Sequence, residues 1–402
     1  MSAQRVLFLT PQLPYPPHQG TAIRNWHIIR HVAAGRYVDV LSFADDPPKA
    51  LTAAGPLTAL CGRVEALPAP IRSTRTRLAD MARGHADMAR RLYSDAFARR
   101  LHEWLADGYD VVQAEGIEMA PYLLAMNANA RVRRVYDAHN AEALLQQRNF
   151  LTDARRPARW VASAYSLVQW RRLTALERQM AQGADRVIAV SEADAAALRA
   201  LAPTFDPLVV PNGVDTTYYD PAAPSDEKPL LDGVPWLVFT GKLDYRPNVE
   251  ACRWLVETVM PLVWRDAPTA RVALVGRDPA PAVRALASER VVLTGWVPDT
   301  RPYMRQATVY VVPLRVGGGT RLKLLEALAM GCAIVSTRQG AEGVDVADAA
   351  VLTDAPADFA AAVVSLLNDA RRRSVLGQAA RSLAVSRYDW SAILPRLDAV
   401  YA

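Results

Sequence analysis

Val309-Tyr310-Val311-Val312-Pro313-Leu314-Arg315-Val316-Gly317-Gly318-Gly319-Thr320-Arg321-Leu322-Lys323-Leu324-Leu325-Glu326-Ala327-Leu328-Ala329-Met330-Gly331 decides how the chain is read. A short β-branched run predicts a strand. Three glycines then form a loop whose backbone can approach a ligand closely. Leu322, Leu325 and Ala329 recur at helical spacing, and Gly331 supplies a stop. Strand, glycine loop and helix in succession form one step of an α/β sheet.

The same step repeats outward in both directions. The first set of predicted strands is Arg5–Thr10, Val38–Phe43, 64–67, 111–114, 134–137 and 186–190. The second is Trp236–Thr240, Arg271–Val275, 291–294, Val309–Val312, 333–336 and 350–352. Continuous apolar runs of this kind suit parallel strands covered on both faces. Between Pro211 and Pro235 the chain is rich in Pro and Gly and poor in apolar residues, which reads as a linker. The expected architecture is α/β, with two Rossmann-like, doubly wound parallel sheets facing a central cleft. The first domain is placed at 1–215 and the second at 216–386, with a C-terminal segment 387–402 that crosses back. Ligands of such sheets sit at the carboxyl ends of the strands.

Composition bounds the rest. The chain has 402 residues, a formal charge of +6, 51% hydrophobic and 22% charged residues, the balance of a globular protein with a real core. Cys61, Cys252 and Cys332 have no paired spacing, which argues against a disulfide framework and a cysteine zinc site. The run Val6-Leu7-Phe8-Leu9 is too short for a signal sequence, and Pro11 follows. No stretch approaches the roughly 20 apolar residues of a membrane span. The expectation is a cytoplasmic protein that can lie peripherally on the inner membrane.

The glycine loop of the second half suits an anion; the plainer alternative is glycines for packing beside a solvated Arg/Lys pair. The first N–H groups of the following helix, at Thr320, Arg321 and Leu322, have no intrahelical partner, and the helix dipole favours negative charge there. Arg321 and Lys323 add cations, and Glu326 can accept hydrogen bonds from ribose hydroxyls. The loop lacks the Gly-Lys-Ser/Thr ending of a Walker A motif and the Gly-x-Gly-x-x-Gly pattern. Gly241-Lys242 follows directly on the strand Trp236–Thr240, which places a lysine at another carboxyl end.

In the first half, Gly20 ends a proline-rich loop after the first strand, and a helix from about Ala22 carries Arg24, Asn25 and His27. His18 reads as a solvent-facing loop residue. His139, in Asp137-Ala138-His139-Asn140, lies at a carboxyl end; the plainer alternative makes Asn140 a helix cap and His139 incidental. Asp45-Asp46 precedes two prolines and reads as a turn. The histidines show no metal-ligand spacing. No metal site and no cofactor are expected.

The 309–337 stretch resembles the signature of glycosyltransferase family 4, a group of retaining enzymes with the GT-B fold. Val190-Ser191-Glu192-Ala193-Asp194, Val210-Pro211-Asn212-Gly213-Val214-Asp215, Gly241-Lys242-Leu243-Asp244, Val275-Gly276 and Thr294-Gly295-Trp296-Val297 match in order. The turns at Asp137–Asn140 and Tyr245–Asn248 are most similar to a bacterial exopolysaccharide subgroup associated with the exosortase/PEP-CTERM system. The resemblance implies a nucleotide-sugar donor as substrate. Glu326 would bind its ribose, and the turns at Gly276-Arg277 and Gly295-Trp296-Val297 would hold its base. Gly20, Gly318, Gly319, Thr320 and Leu322 would lie along the diphosphate and sugar, and His139 would contact the donor sugar. Two positions depart from the family: Gly318 stands where a first Glu touches the sugar, and Asn248 where a second cation joins Lys242. Arg321 and Lys323 are expected to replace that charge.

The expected activity is retaining, metal-independent transfer to a glycan or lipid-linked acceptor in exopolysaccharide or cell-surface glycan synthesis, without nucleic acid. A nucleotide-sugar epimerase and a non-catalytic nucleotide-sugar-binding protein are the alternatives. The segment 160–180 mixes Trp160, Val161, Ala164, Leu167, Val168 and Trp170 with Arg159, Arg171, Arg172 and Arg178, which fits either an interfacial helix on anionic lipid or a core helix. A last apolar helix is expected over 393–401.

Overall fold

The computed structural model describes residues 3–126, 132–154, 159–203, 206–227, 233–317 and 321–402. The expected diphosphate-loop positions Gly318, Gly319 and Thr320 lie outside the described residues.

The chain divides into two compact units, Met1–Pro211 with Leu394–Ala402, and Asn212–Ile393. The first contains a seven-stranded parallel sheet in the order β3-β2-β1-β4-β5-β6-β7. Its strands are β1 (Arg5–Thr10), β2 (Tyr37–Ala44), β3 (Arg63–Pro68), β4 (Val111–Glu115), β5 (Arg133–Ala138), β6 (Arg186–Ala189) and β7 (Leu208–Val209). The second contains a six-stranded parallel sheet, β10-β9-β8-β11-β12-β13. Here the strands are β8 (Trp236–Thr240), β9 (Arg271–Val275), β10 (Val291–Gly295), β11 (Val309–Val312), β12 (Ile334–Ser336) and β13 (Val351–Leu352). Two doubly wound α/β sheets are what the apolar runs predict. β4, β8 and β11 are buried along their whole length, as strands covered by helices on both faces must be. β7 escapes sequence reading because it is two residues long.

Each sheet changes direction once, between β1 and β4 in the first and between β8 and β11 in the second. Loops leaving neighbouring strands at such a point turn to opposite faces and open a crevice. Both candidate sites lie at the strand ends beside these two points.

The helix Leu322–Ala329 starts with Arg321 at its cap and buries Leu324, Leu325 and Leu328 in the second core. Each buried leucine contributes about 1.5–3 kcal/mol. It ends where Gly331 adopts φ 62°, which lets the Cys332 amide reach back to the Ala327 carbonyl at 3.0 Å.

The stretch after Pro211 is anchored and not a free strap. The Val214 amide bonds the Tyr388 carbonyl at 2.8 Å, and the Thr216 hydroxyl donates to Asp389 Oδ2 at 2.6 Å. The expected 393–401 helix is instead a 3-10 turn, Leu394–Leu397, followed by the helix Asp398–Tyr401, because Pro395 cannot donate to a continuous ladder. This tail packs in the first unit. Gln4 Nε2 donates to the Tyr401 carbonyl at 3.1 Å, and Arg133 to that of Val400 at 3.0 Å. No helix among the described residues is long and apolar enough to cross a membrane.

Candidate functional sites

In the second unit, β8 runs into Gly241. A Cβ there would lie 2.8 Å from Lys323 Nζ and 2.9 Å from Asn248 Nδ2, and the φ of 154° is one that residues with side chains rarely adopt, so the position favours glycine. Gly276, after β9, is tighter still: its Cβ would fall 1.7 Å from the Gly241 carbonyl oxygen. Two glycines thus bring the backbone ends of β8 and β9 together around an ammonium group.

That ammonium is well defined. Lys323 Nζ donates to Asn248 Oδ1 at 2.8 Å, and Asn248 Nδ2 donates to the Lys242 carbonyl at 2.8 Å. The ring of Phe239 lies beneath Nζ, 4.0 Å from its centroid. Burial pulls the Lys323 ammonium down to about 7, against the charges of Cys252 and Glu326, which favour the proton, and with Arg321, which opposes it. Among the described residues no carboxylate pairs with it. It is a poorly compensated cation at the sheet's switch point.

The neighbouring predicted residues divide into two groups. Lys242 is half-exposed and pairs with Asp244 at 3.1 Å; Arg277 is half-exposed beside Asp278 at 3.7 Å. Val297 is half-buried against the core. Arg321, in contrast, is 7% exposed and turned inward, with Nε on the Gln339 carbonyl at 3.4 Å and Glu342 at 3.7 Å. It braces the loop beneath the site and is not an open cation. The Glu326 carboxyl accepts from the Tyr219 hydroxyl; burial raises its pKa, and that bond and Lys323 oppose the rise.

In the first unit, Glu115 ends β4, Asp137 lies near the end of β5, and His139 follows it. Arg24, on the helix Gly20–Ala33, is fully buried and clamps Asp137 from both sides: Nε to Oδ2 at 2.9 Å and a terminal nitrogen to Oδ1 at 3.0 Å. Another Arg24 nitrogen donates to the Val210 carbonyl at 3.0 Å. Glu115 is fully buried too. Its Oε1 accepts from Gln113 Nε2 at 2.7 Å and its Oε2 lies 2.9 Å from His139 Nε2. The Asn25 amide, turned with its nitrogen toward Glu115, reaches the same Oε2 at 2.8 Å. Gly20, the first residue of its helix, and His18 are exposed.

Glu115, Asp137 and His139 offer ligand atoms within 4.8 Å of one another. Both Asp137 oxygens already face the Arg24 guanidinium, and both Glu115 oxygens already accept hydrogen bonds. The guanidinium is this cluster's cation. The 139–142 turn is also held from outside. Asp194 Oδ1 accepts the Ala141 amide at 2.9 Å, and Glu177 Oε1 accepts that of Glu142 at 2.6 Å. The helix Glu142–Ala154 is therefore capped by Glu177, 35 residues away, whereas Asn140 spends its amide on Glu142 Oε1 at 3.0 Å. Asn140 does not supply the cap that the plainer alternative gave it.

Glu115 was not named by sequence, and Arg24 was named only as a residue of its helix, without its partner. The Asp137 partner of Arg24 is 113 positions away, and a glutamate ending a strand reads as a surface residue. The available signal is that β4 carries Gln113 and Glu115 among apolar neighbours, two polar groups on one face of a strand predicted to be buried.

Residues 19–218 match the family described as Glycosyltransferase Family 4, and residues 234–369 match Glycosyl transferases group 1. A phosphatidyl-myo-inositol mannosyltransferase of Mycolicibacterium smegmatis is 30% identical over 210 residues, 49% of this chain and 52% of that protein. An alpha-maltose-1-phosphate synthase of the same organism is 29% identical over 276 residues, covering 61% and 68%. The chain thus spans about half the length of the first of these relatives. Among solved structures, Anabaena HepE in complex with UDP and glucose superposes with a TM-score of 0.68 over 99% of both chains at 17% identity, a likeness of fold. The chain thus carries a Glycosyltransferase Family 4 domain followed by a Glycosyl transferases group 1 domain, and its fold is GT-B.

Proposed function

We propose that the chain transfers a sugar from a nucleotide-diphosphate sugar to a glycan or lipid-linked acceptor, with retention of configuration and without a metal ion, in exopolysaccharide or cell-surface glycan synthesis. One observation carries the reading: the Lys323 ammonium, poorly compensated, sits between Gly241 and Asn248 at the switch point of the second sheet. The family's second cation is missing at Asn248, and the side chain of Asn248 holds Lys323 in its place. Lys323 thus supplies, from another helix, a positive charge beside the β8 loop. Lys242 supplies a second, more exposed cation. Together they stabilise the charge that develops on the departing diphosphate. Glu326 takes the ribose, and the Arg277 and Val297 turns take the base.

In the transfer step the bond from the anomeric carbon to the phosphate oxygen breaks, and its electron pair stays on the diphosphate. The acceptor hydroxyl attacks from the same face, and its proton passes to a leaving phosphate oxygen. His139 contacts the donor sugar. The name of the mycolicibacterial relative specifies a phosphatidylinositol acceptor, which supports a lipid-linked acceptor here. The helix Trp160–Gly183 supports it too: Trp160, Val161 and Val168 are exposed.

Thermal-shift measurements with UDP, GDP, ADP and their sugars test the reading. A ligand that binds only the folded state raises its melting temperature. One nucleotide series is expected to do so in the wild type and to lose at least about tenfold in affinity in Lys323→Met, the range of a charge-assisted hydrogen bond. Binding that ignores this substitution, or the absence of any nucleotide response, overturns the proposal.

A further inference from the structure

We propose that Glu115 is a positioning residue for His139, fixing which ring nitrogen faces substrate, and that Gln113 and Tyr401 hold Glu115 in place. This rests on the reading that His139 contacts the donor sugar.

The chain of contacts is continuous. The Tyr401 hydroxyl, at the penultimate residue, donates to Gln113 Oε1. Gln113 Nε2 donates to Glu115 Oε1 at 2.7 Å. Glu115 Oε2 meets His139 Nε2 at 2.9 Å. Tyr401, Gln113 and Glu115 are all buried, so each polar atom needs the next, and removing one strands its neighbour. Gln113 cannot reverse its amide without facing Glu115 with an oxygen. Its orientation obliges Tyr401 to donate and obliges Glu115 to accept. Burial and the charge of Asp137 raise the Glu115 pKa, and the bond to His139 opposes the rise; with Oε2 unprotonated, Glu115 has His139 Nε2 carry the proton. The other ring nitrogen, Nδ1, is left facing Gly116, where a Cβ would come within 3.4 Å of it. With no side chain at Gly116, Nδ1 and Glu118 Oε2 both border the space that a Cβ would fill, 3.4 and 3.2 Å from it.

The charges around His139 agree. Burial lowers its proton affinity, but the bond to Glu115 and the charges of Asp137 and Glu115 more than offset this, with Arg24 opposing. The net direction is upward. Glu118, beside Gly116, and Glu142 are the other acids of this neighbourhood. The Arg24–Asp137 clamp neutralises one carboxylate, so His139 answers chiefly to Glu115. The C-terminal tail that joins the first unit thereby reaches a site residue through two side chains.

The experiment uses the full chain labelled with ¹⁵N-histidine, with His139→Gln to assign its signal among the six histidines. Long-range ¹H–¹⁵N spectra report tautomer and titration directly. The expected wild-type result is a proton on Nε2 at high pH and a titration midpoint raised above the ordinary histidine value. A proton on Nδ1 in the wild type overturns the proposal without any substitution. Glu115→Gln is expected to lower the midpoint by a tenfold or larger change in proton affinity, and Tyr401→Phe to shift the His139 signals while the Nε2 proton stays. Wild-type signals in both variants overturn it. Glu115→Gln is also expected to cut turnover at least tenfold while leaving the nucleotide melting shift intact. Loss of that shift in Lys323→Met alone bears on the proposed function and leaves the Glu115 assignment standing.

Discussion

The two sites use buried charge in opposite ways. At the first site each strong charge faces a complement: Arg24 on Asp137, His139 on Glu115, and carbonyls and amides on the atoms left over. In the second unit, Lys323 has an amide oxygen and an aromatic face but no carboxylate. Buried charges that are complete within the chain hold a shape. A buried charge that is incomplete is stabilised only when something negative arrives from outside. Under the proposed function, the first site is a rigid surface that presents His139, and the second a receptor for an anion.

The largest expected effect breaks the first arrangement. Arg24→Met leaves Asp137 ionised, fully buried and unpaired, which costs about 3–5 kcal/mol. Denaturant titration should register that loss. The double variant Arg24→Met/Asp137→Leu should recover most of it, because replacing both members of a buried pair is often neutral. If the single substitution costs less than about 1 kcal/mol, the clamp is not what holds the β5 end.

Lys323→Met has the opposite signature. It removes a charge that burial disfavours, so melting temperature should hold or rise, while nucleotide affinity falls about tenfold or more. A variant that loses stability and affinity together would make Lys323 a structural residue and erase the contrast between the sites.

Most of the framework behind this contrast was legible in the sequence. Buried parallel strands are apolar runs, and the runs at Trp236–Thr240, Arg271–Val275 and Val309–Val312 coincide with β8, β9 and β11 residue for residue. Lys323 was legible as a cation beside a glycine loop; its bond to Asn248 was not, because 75 positions separate them. The helix Trp160–Gly183 misleads for another reason. Ser163, Ser166, Gln169 and Glu177 face inward, and Trp160 and Val161 face out. The inward residues have work to do: Gln169 accepts the Asp87 amide, and Glu177 caps a neighbouring helix. Arg172 and Arg178 bond backbone carbonyls, so part of the apparent basic face is structural. Periodicity finds a stripe but not which side of it is buried.

Titration sharpens the comparison with smaller effects. Glu142 and Glu177 are raised to about 7 and about 8, chiefly by burial, from an ordinary 4.5. The folded first unit holds protons that the unfolded chain has released, so these groups lower its stability as pH climbs from about 4.5 to 8. Lys323 runs the other way. Its folded value near 7 lies below the ordinary 10.5, so its contribution is full above 10.5 and is lost as pH falls through 7. Between pH 7 and 9 nucleotide affinity should decline, because the neutral amine must regain a proton to meet the diphosphate. Calorimetry from pH 5 to 9 should show the first unit's transition moving down, and Glu177→Gln should flatten that slope. A slope unchanged in Glu177→Gln removes the acid pair as its source.

The smallest expected effect concerns the outward face of the helix Trp160–Gly183. Trp160 is 63% exposed and Val161 88%, with Val168 and Arg171 further along the same side. Apolar side chains followed by an exposed arginine suit the interface of an anionic bilayer, where each basic residue contributes about 1 kcal/mol within a Debye length of the surface. Sedimentation with vesicles containing anionic lipid should retain the wild type at low salt and release part of it at high salt. Trp160→Glu/Val161→Asp should weaken retention several-fold at either salt, since it removes the apolar contact as well as adding repulsion. The nucleotide melting shift should not change, because it reads the second unit. Equal retention on neutral and anionic vesicles at all salt concentrations would remove the electrostatic part of this contact, and equal retention of the double variant would remove the apolar part.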